Sequence, residues 1–341
     1  MRQVQLKPTV VVPYTVHWVE SGRIFASRGL SVLESRDHGR SWKLVCHIPG
    51  WSKRILAATR LSRRLLRTGI HHVQPFGESK LVIVANDFVQ AFDLERSRFL
   101  PPAKISGSRP LVISTTPLSI LYGEYSSNPQ RRSVGVHASL DGIEWRRAIS
   151  LHGVRHIHAV QWDPYERKVW ITTGDEDHES AIWRADELFQ SLERVIGGSQ
   201  QHRAVQLVFS EKAIYFATDA PSQDNYIYRM DRASREVTRL APVKGPVFYG
   251  CNVADNIFLA TVCEPTDKSR NRIATVWVGN ESPDSWRPIL RFRKDSWPMR
   301  LFQYGQVKFP AGRNDGPYLW LTPFATELDQ QSLAFDVRDL L

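Results

Sequence analysis

The chain has 341 residues, 42% of them hydrophobic and 23% charged, which excludes a disordered or fibrous protein and fits a folded domain with a substantial core. Forty-five Lys and Arg against 35 Asp and Glu leave a formal charge of +10, which favours anionic partners over cationic ones. No apolar run approaches the ~20 residues of a membrane-spanning helix, the first residues lack the apolar core of a secretory signal, and Cys46, Cys251 and Cys263 show no disulfide or metal spacing, so a cytoplasmic address is expected.

In chain order, residues 1–13 read as a lone strand, QVQLKPTVVV. The first repeat follows as VHWVESGRIFAS and GLSVLESRDHGRSWKLVCHI, alternating or apolar runs joined by turn residues. Its turn spells S-x-D-x-G-x-x-W through Ser35, Asp37, Gly39 and Trp42. Asp37 can cap backbone N–H groups there, and Gly39 can take a positive φ. A second copy, Ser139, Asp141, Gly142 and Trp145, is one residue shorter between Asp and Trp. A third, Ser282 to Trp286, has lost its Gly. These turns resemble the Asp-box (BNR repeat) of sialidases and other β-propellers, where the motif is a structural hairpin at the outer edge of a blade. The resemblance implies a propeller fold. It occurs in hydrolases, receptors and assembly factors, so it marks fold rather than reaction.

Residues 52–69, SKRILAATRLSRRLLRTG, interrupt the strand pattern. At 100° per residue Arg60, Arg63, Arg64 and Arg67 share one arc, opposite Ala57, Ala58, Leu61 and Leu65, with Gly69 as a stop. This predicts a basic amphipathic helix inserted between the first two repeats, its arginine face solvated or laid on an anionic surface. A second helical insert is expected at ADELFQSLERV, residues 185–195.

The remaining units share one grammar: 71–94, 110–127 leading into the second Asp-box turn, 156–183, and three more to the end. The final unit shows only three strands, so the N-terminal strand is expected to complete it and hide the sheet edge. Seven blades of about 49 residues result, or six if one unit is an insert. The whole chain reads as one all-β propeller domain, 1–341.

An acid ends the second strand of successive units: Asp87, Glu124, Asp175, Asp219 and Glu264, about 37–51 residues apart. First strands begin with His17, His72, Arg109, His156, His158, His202 and Arg203. Antiparallel neighbours bring these two positions to the same end of a blade, so acids, imidazoles and guanidiniums are expected around one mouth of the central channel.

Three uses fit that set. Glu124, Asp175, Asp219 and Glu264 are candidate carboxyl catalysts for a glycosidase or lyase, with Arg109, Arg203, His72 and Trp18 holding an acidic glycan. His156, His158 and His202, with Asp175, Asp177 and His178, are candidate ligands for a divalent Mn, Fe or Zn ion. Alternatively the face is a non-catalytic platform for sugar or protein, with Tyr125, Trp162, Tyr226, Tyr249 and Trp297 also available for stacking. Sialidase resemblance implies an arginine trio that begins in an R-I-P type string; here the nearest string is Arg23-Ile24-Phe25. No nucleic-acid motif accompanies the basic charge.

Overall fold

A computed structural model describes residues 6–49, 59–265 and 272–341. It is a seven-bladed β-propeller of antiparallel sheets with few helices. Blade one runs from Thr15–Glu20 to Lys43–His47, blade two from Ile70–Phe76 to Ala103–Lys104, and blade three from Ile113–Thr115 to Arg146–Leu151. Blades four, five and six span His156–Asp163 to Leu192–Gly197, Ala204–Phe209 to Val237–Val243, and Val247–Val253 to Arg287–Arg293.

Blade seven takes Gln306–Lys308, Tyr318–Phe324 and Ser332–Asp336 from the C-terminal end and Val10–Val12 from the N-terminal end. Val10 pairs with Ala334 and Val12 with Ser332, so the lone strand closes the ring as its sequence context requires. Ser332 strengthens the seam: its Oγ accepts Val16 N–H and donates to Tyr14 O.

Second strands explain why the blades stack. Lys80–Ala85, Lys168–Gly174 and Ala213–Thr218 are buried along nearly their whole length. Each lies in a sheet covered on both faces by neighbouring blades, so an unbroken apolar run replaces simple alternation.

The Asp-box-like turns share one hydrogen-bond plan and one place, the hairpin between third and fourth strands. In blade one Ser35 Oγ donates to Asp37 Oδ1 at 2.8 Å and accepts Gly39 N–H at 2.9 Å; Trp42 Nε1–H donates to Gly39 O at 3.0 Å. In blade three Ser139 Oγ donates to Asp141 Oδ1 at 3.0 Å and accepts Gly142 N–H at 2.9 Å. Gly39 and Gly142 have φ of +85° and +81°. At Gly39 a Cβ would also lie 2.7 Å from the Trp320 ring of blade seven. The weak third copy occupies the same hairpin of blade six, Pro283–Ser285, and Trp286 is buried there.

Two helical expectations need correction. Residues 185–195 form a turn and the outer strand of blade four. Asp186 accepts the N–H groups of Leu188, Gln190 and Ser191, and Phe189 and Leu192 pack on the blade core; these contacts outweigh the local helical pattern.

The other helix, α1 (Arg60–Leu66), exists where expected, capped by Thr59, but faces the other way. Arg64 is fully buried. Its guanidinium meets Asp295 Oδ2 at 2.8 Å and donates to Phe302 O. Arg60 joins Asp295 and Asp329 at 2.8 and 2.7 Å. Leu61, Leu65 and Leu66 are the exposed side. Ion pairing under α1, invisible to a hydrophobic-period argument, inverts the expected solvated arginine face. Ala57 and Ala58 lie outside the described residues.

Candidate functional site

The acids expected around the mouth divide into two groups. Asp175, Asp219 and Glu264 converge on Arg203. Its Nη2 lies 3.0 Å from Asp175 Oδ1 and 3.1 Å from Asp219 Oδ2, and Glu264 acts on the same guanidinium electrostatically. Arg155 adds a second cation, 3.0 Å from Asp175 Oδ2.

Glu124 points elsewhere, despite its equivalent position. Its carboxylate is occupied within blade three by Gly135 N–H at 2.9 Å, His137 at 2.7 Å and Arg147 at 2.7 Å. Burial would raise its pKa, but these three donors bring it down to about 2. This is a carboxylate turned into its own blade, so it does not join the expected catalytic ring. Asp87 sits exposed on its turn, within electrostatic reach of Arg109.

Environment separates the converging acids. Burial, opposed by Arg203 and reinforced by Glu264 and Asp175, pushes Asp219 up to about 8. Glu264 is also raised, chiefly by burial, while Tyr304 hydrogen-bonds it. Burial alone would raise Asp175 too; the adjacent imidazoles and Arg203 instead hold it well below the usual carboxylate range. One protonated and one ionised carboxyl group thus share an arginine, the pairing that acid–base chemistry uses.

His156 and His158 lie beside Asp175. His156 Nδ1 is 2.9 Å from Ser126 O and His158 Nδ1 is 2.9 Å from Ala204 O. A carbonyl only accepts, so both rings carry the proton on Nδ1. Their Nε2 atoms face each other at 3.1 Å and stand 3.4 and 3.6 Å from Asp175 Oδ1. Gly174 leaves the room: a Cβ there would be 2.7 Å from the His158 ring. His202, expected as a third ligand, is not part of this group; its Nδ1 is buried with no partner among the described residues. Asp177 instead accepts Gln200 N–H, and the His178 ring is exposed.

The other half of the mouth is a cavity of about 370 Å³ on the inner strands of several blades. It is lined by Arg28, Arg63, Arg67, His17, His71, His72 and Lys308, and Asp329, the one lining acid among the described residues, is already held by Arg60 and Arg64. Among the described residues Arg28, Arg67 and Lys308 have no carboxylate partner. Burial, with help from Arg109, brings Lys308 down to about 8. Burial and neighbouring cations depress His17 to about 3 and His72 to about 4, so these imidazoles are neutral at pH 7. Arg109 itself reaches the Arg67 carbonyl, so the two arginines expected to act together stand on different halves.

The halves adjoin. Tyr304 feels both Glu264 and Arg67, and Tyr249, which lines the cavity, is electrostatically coupled to Tyr125, whose ring lies 4.3 Å from that of His156. Trp18, expected as a stacking surface, is buried against Phe25 in the core. Trp297 is covered by Arg60 and Arg64.

Aligning the units on second strands missed Lys308, His71, Arg67, Arg28 and Tyr304. The third residue of each first strand would have found the channel wall: His17, His72, Thr115, His158, Gln206, Tyr249 and Lys308. A β-bulge recurs at this level, skipping His17, His71, His158 and Phe248 in blades one, two, four and six. Such a bulge re-aims side chains, and three of these four are imidazoles at the mouth.

No family model and no curated protein matches this chain. Solved structures match the fold. A chain of a mitotic checkpoint complex superposes with TM-score 0.58 at 11% identity, covering 98% of this chain and 96% of that one. The extracellular domain of a proposed one-component system from B. thetaiotaomicron gives 0.59 at 9% identity, over 97% of this chain and 40% of that one. A prolyl endopeptidase gives 0.56 at 10%, over 92% and 47%. At these identities the likeness is to the propeller fold alone. No helix among the described residues is long and apolar enough to cross a membrane.

Proposed function

We propose that the channel mouth binds an acidic saccharide, with Asp219 as proton donor for glycosidic cleavage of the hydrolase or lyase type. The observation that carries this reading is the cation excess around the cavity, where Arg28, Arg67 and Lys308 have no acid partner among the described residues. Lys308 is partly buried in the cavity and Arg28 and Arg67 stand exposed at its rim, a layout in which the low-dielectric walls focus the field of Lys308 and the rim arginines attract a carboxylate toward it. Tyr249, Phe309 and Phe324 supply flat surfaces for a sugar ring. The raised Asp219 and the ionised Asp175 on the neighbouring half offer the acid and the anion that cleavage requires. The shared hydrogen-bond plan of the Ser35 and Ser139 turns supports membership of the Asp-box propellers.

A platform without turnover is the second reading. It is favoured by Arg203, which occupies both Asp175 and Asp219.

Calorimetric titration with sialyl and uronic-acid oligosaccharides, beside the same sugars with the carboxyl group reduced, tests the binding. Acid-dependent binding that weakens at least about tenfold in Lys308→Met and Arg67→Gln is expected. Equal binding of reduced sugars would sink the proposal. Product formation lost in Asp219→Asn with binding retained separates the enzyme from the platform.

A further inference from the structure

We infer that His156, His158 and Asp175 form a zinc-class metal site, independent of any ligand in the cationic cavity. Backbone carbonyls hold both Nδ1–H groups, so in the neutral rings the lone pairs lie on the two Nε2 atoms, which face one another at 3.1 Å beside a carboxylate oxygen. Two facing lone pairs at that spacing repel unless a proton on one ring or a metal ion lies between them, and the neighbouring carboxylate oxygen completes a set of three donor atoms that suits the metal. Fixing of each ring through its far nitrogen is how proteins orient imidazole for a metal.

Dimensions favour a particular ion. The triangle of donor atoms has edges of 3.1, 3.4 and 3.6 Å. The point equidistant from its corners lies about 2.0 Å from each, and ligand bonds of about 2.0–2.1 Å with tetrahedral angles give edges of about 3.3–3.4 Å. Octahedral bonds of similar length would bring ligands to about 3.0 Å, shorter than all three edges. Three protein ligands leave a fourth tetrahedral position. Asp175, at 17% side-chain exposure, is the most accessible of the three.

The cations facing the site are Arg203 at 3.0 Å from Asp175 Oδ1 and Arg155 at 3.0 Å from Oδ2, and the carboxyl groups of Asp219 and Glu264 act on Asp175 electrostatically. Both arginines compete with a metal for the carboxylate, so affinity depends on the two imidazoles more than on Asp175. Gly174 belongs to the device, since any side chain there would move the His158 ring.

The test is metal content and cobalt spectroscopy on the full chain. Purified protein, stripped with chelator, is titrated with Zn²⁺ and with Co²⁺. One equivalent bound, with the intense visible absorption of tetrahedral Co²⁺, is expected. His156→Gln and His158→Gln should each weaken binding by more than about 100-fold, since even loss of an outer-shell partner costs 10–100-fold. Gly174→Ala, which keeps every ligand, should also weaken it. Circular dichroism melts confirm that each variant is folded; if a His variant is not, Gly174→Ala and the wild-type spectrum carry the test. Failure of folded wild type to bind either ion, or binding unchanged in folded His158→Gln, would overturn the inference. Neither outcome depends on whether an acidic sugar binds.

Discussion

The two halves of the channel mouth treat charge in opposite ways. On blades four to six the three converging acids have partners: Asp175 has Arg155 and Arg203, Asp219 meets Arg203 through Oδ2 while its Oδ1 is buried with no partner among the described residues, and Glu264 has Tyr304. On blades seven and one and the end of α1, Lys308, Arg28 and Arg67 surround a cavity whose single acid among the described residues is held by Arg60 and Arg64. A paired charge in a buried place stabilises a geometry, whereas an unpaired one waits for a partner from outside. The first half is therefore built to hold positions, and the second to receive a ligand.

Removing a paired cation should show the largest effect. Arg64 beneath α1 is the extreme case, and Arg64→Met should cost about 3–5 kcal/mol in denaturant unfolding, because Asp295, Asp329 and the Phe302 carbonyl lose a buried partner. Leu65→Lys, one residue away on the exposed side, should stay within about 0.5 kcal/mol. Comparable losses in the two variants would refute the inverted helix. Arg203→Met should cost somewhat less, about 2–3 kcal/mol, since Asp219 can keep its proton and Asp175 retains Arg155.

Two pH experiments sharpen the contrast. Asp219 binds its proton more tightly folded, near 8, than unfolded, near its ordinary 3.8. Its contribution to stability is therefore greatest below about pH 4 and declines as pH rises through 8. Asp219→Asn should flatten that decline in melts taken across the range; an unchanged slope would place the proton elsewhere.

Lys308 titrates in the opposite sense. Its folded pKa, about 8, lies below the ordinary 10.5, so the folded chain releases a proton that the unfolded chain keeps. Stability should rise modestly between pH 8 and 10.5, while affinity for an anion should fall over the approach to and passage through pH 8. Lys308→Met should remove both trends. Persistence of the affinity trend in that variant would assign it to another group.

Much of the architecture was legible because it is written locally and repeated. Ser35-x-Asp37-x-Gly39 and Ser139-x-Asp141-Gly142 specify their turns by short-range hydrogen bonds, and the strand grammar counts seven blades. The acids at the ends of second strands were legible as a series, and Asp175, Asp219 and Glu264 did converge. Glu124 occupies the same place in its blade but is drawn away by His137 and Arg147, residues contributed by the blade's third and fourth strands.

The repeat is written along the chain: strand, turn, strand, a recurrent acid, and an N-terminal strand needed to close the ring. These follow from side-chain period and turn chemistry, which act over a few residues. Direction, by contrast, comes from contacts made in the folded molecule. The arginine face of α1 turns inward because Asp295 and Asp329, over 200 residues away, wait beneath it. Bulges turn His71 and His158 toward the mouth, and Gly174 leaves the space in which two imidazoles and a carboxylate meet. Charge pairing and close packing join residues distant in sequence, and periodicity along the chain carries no record of them.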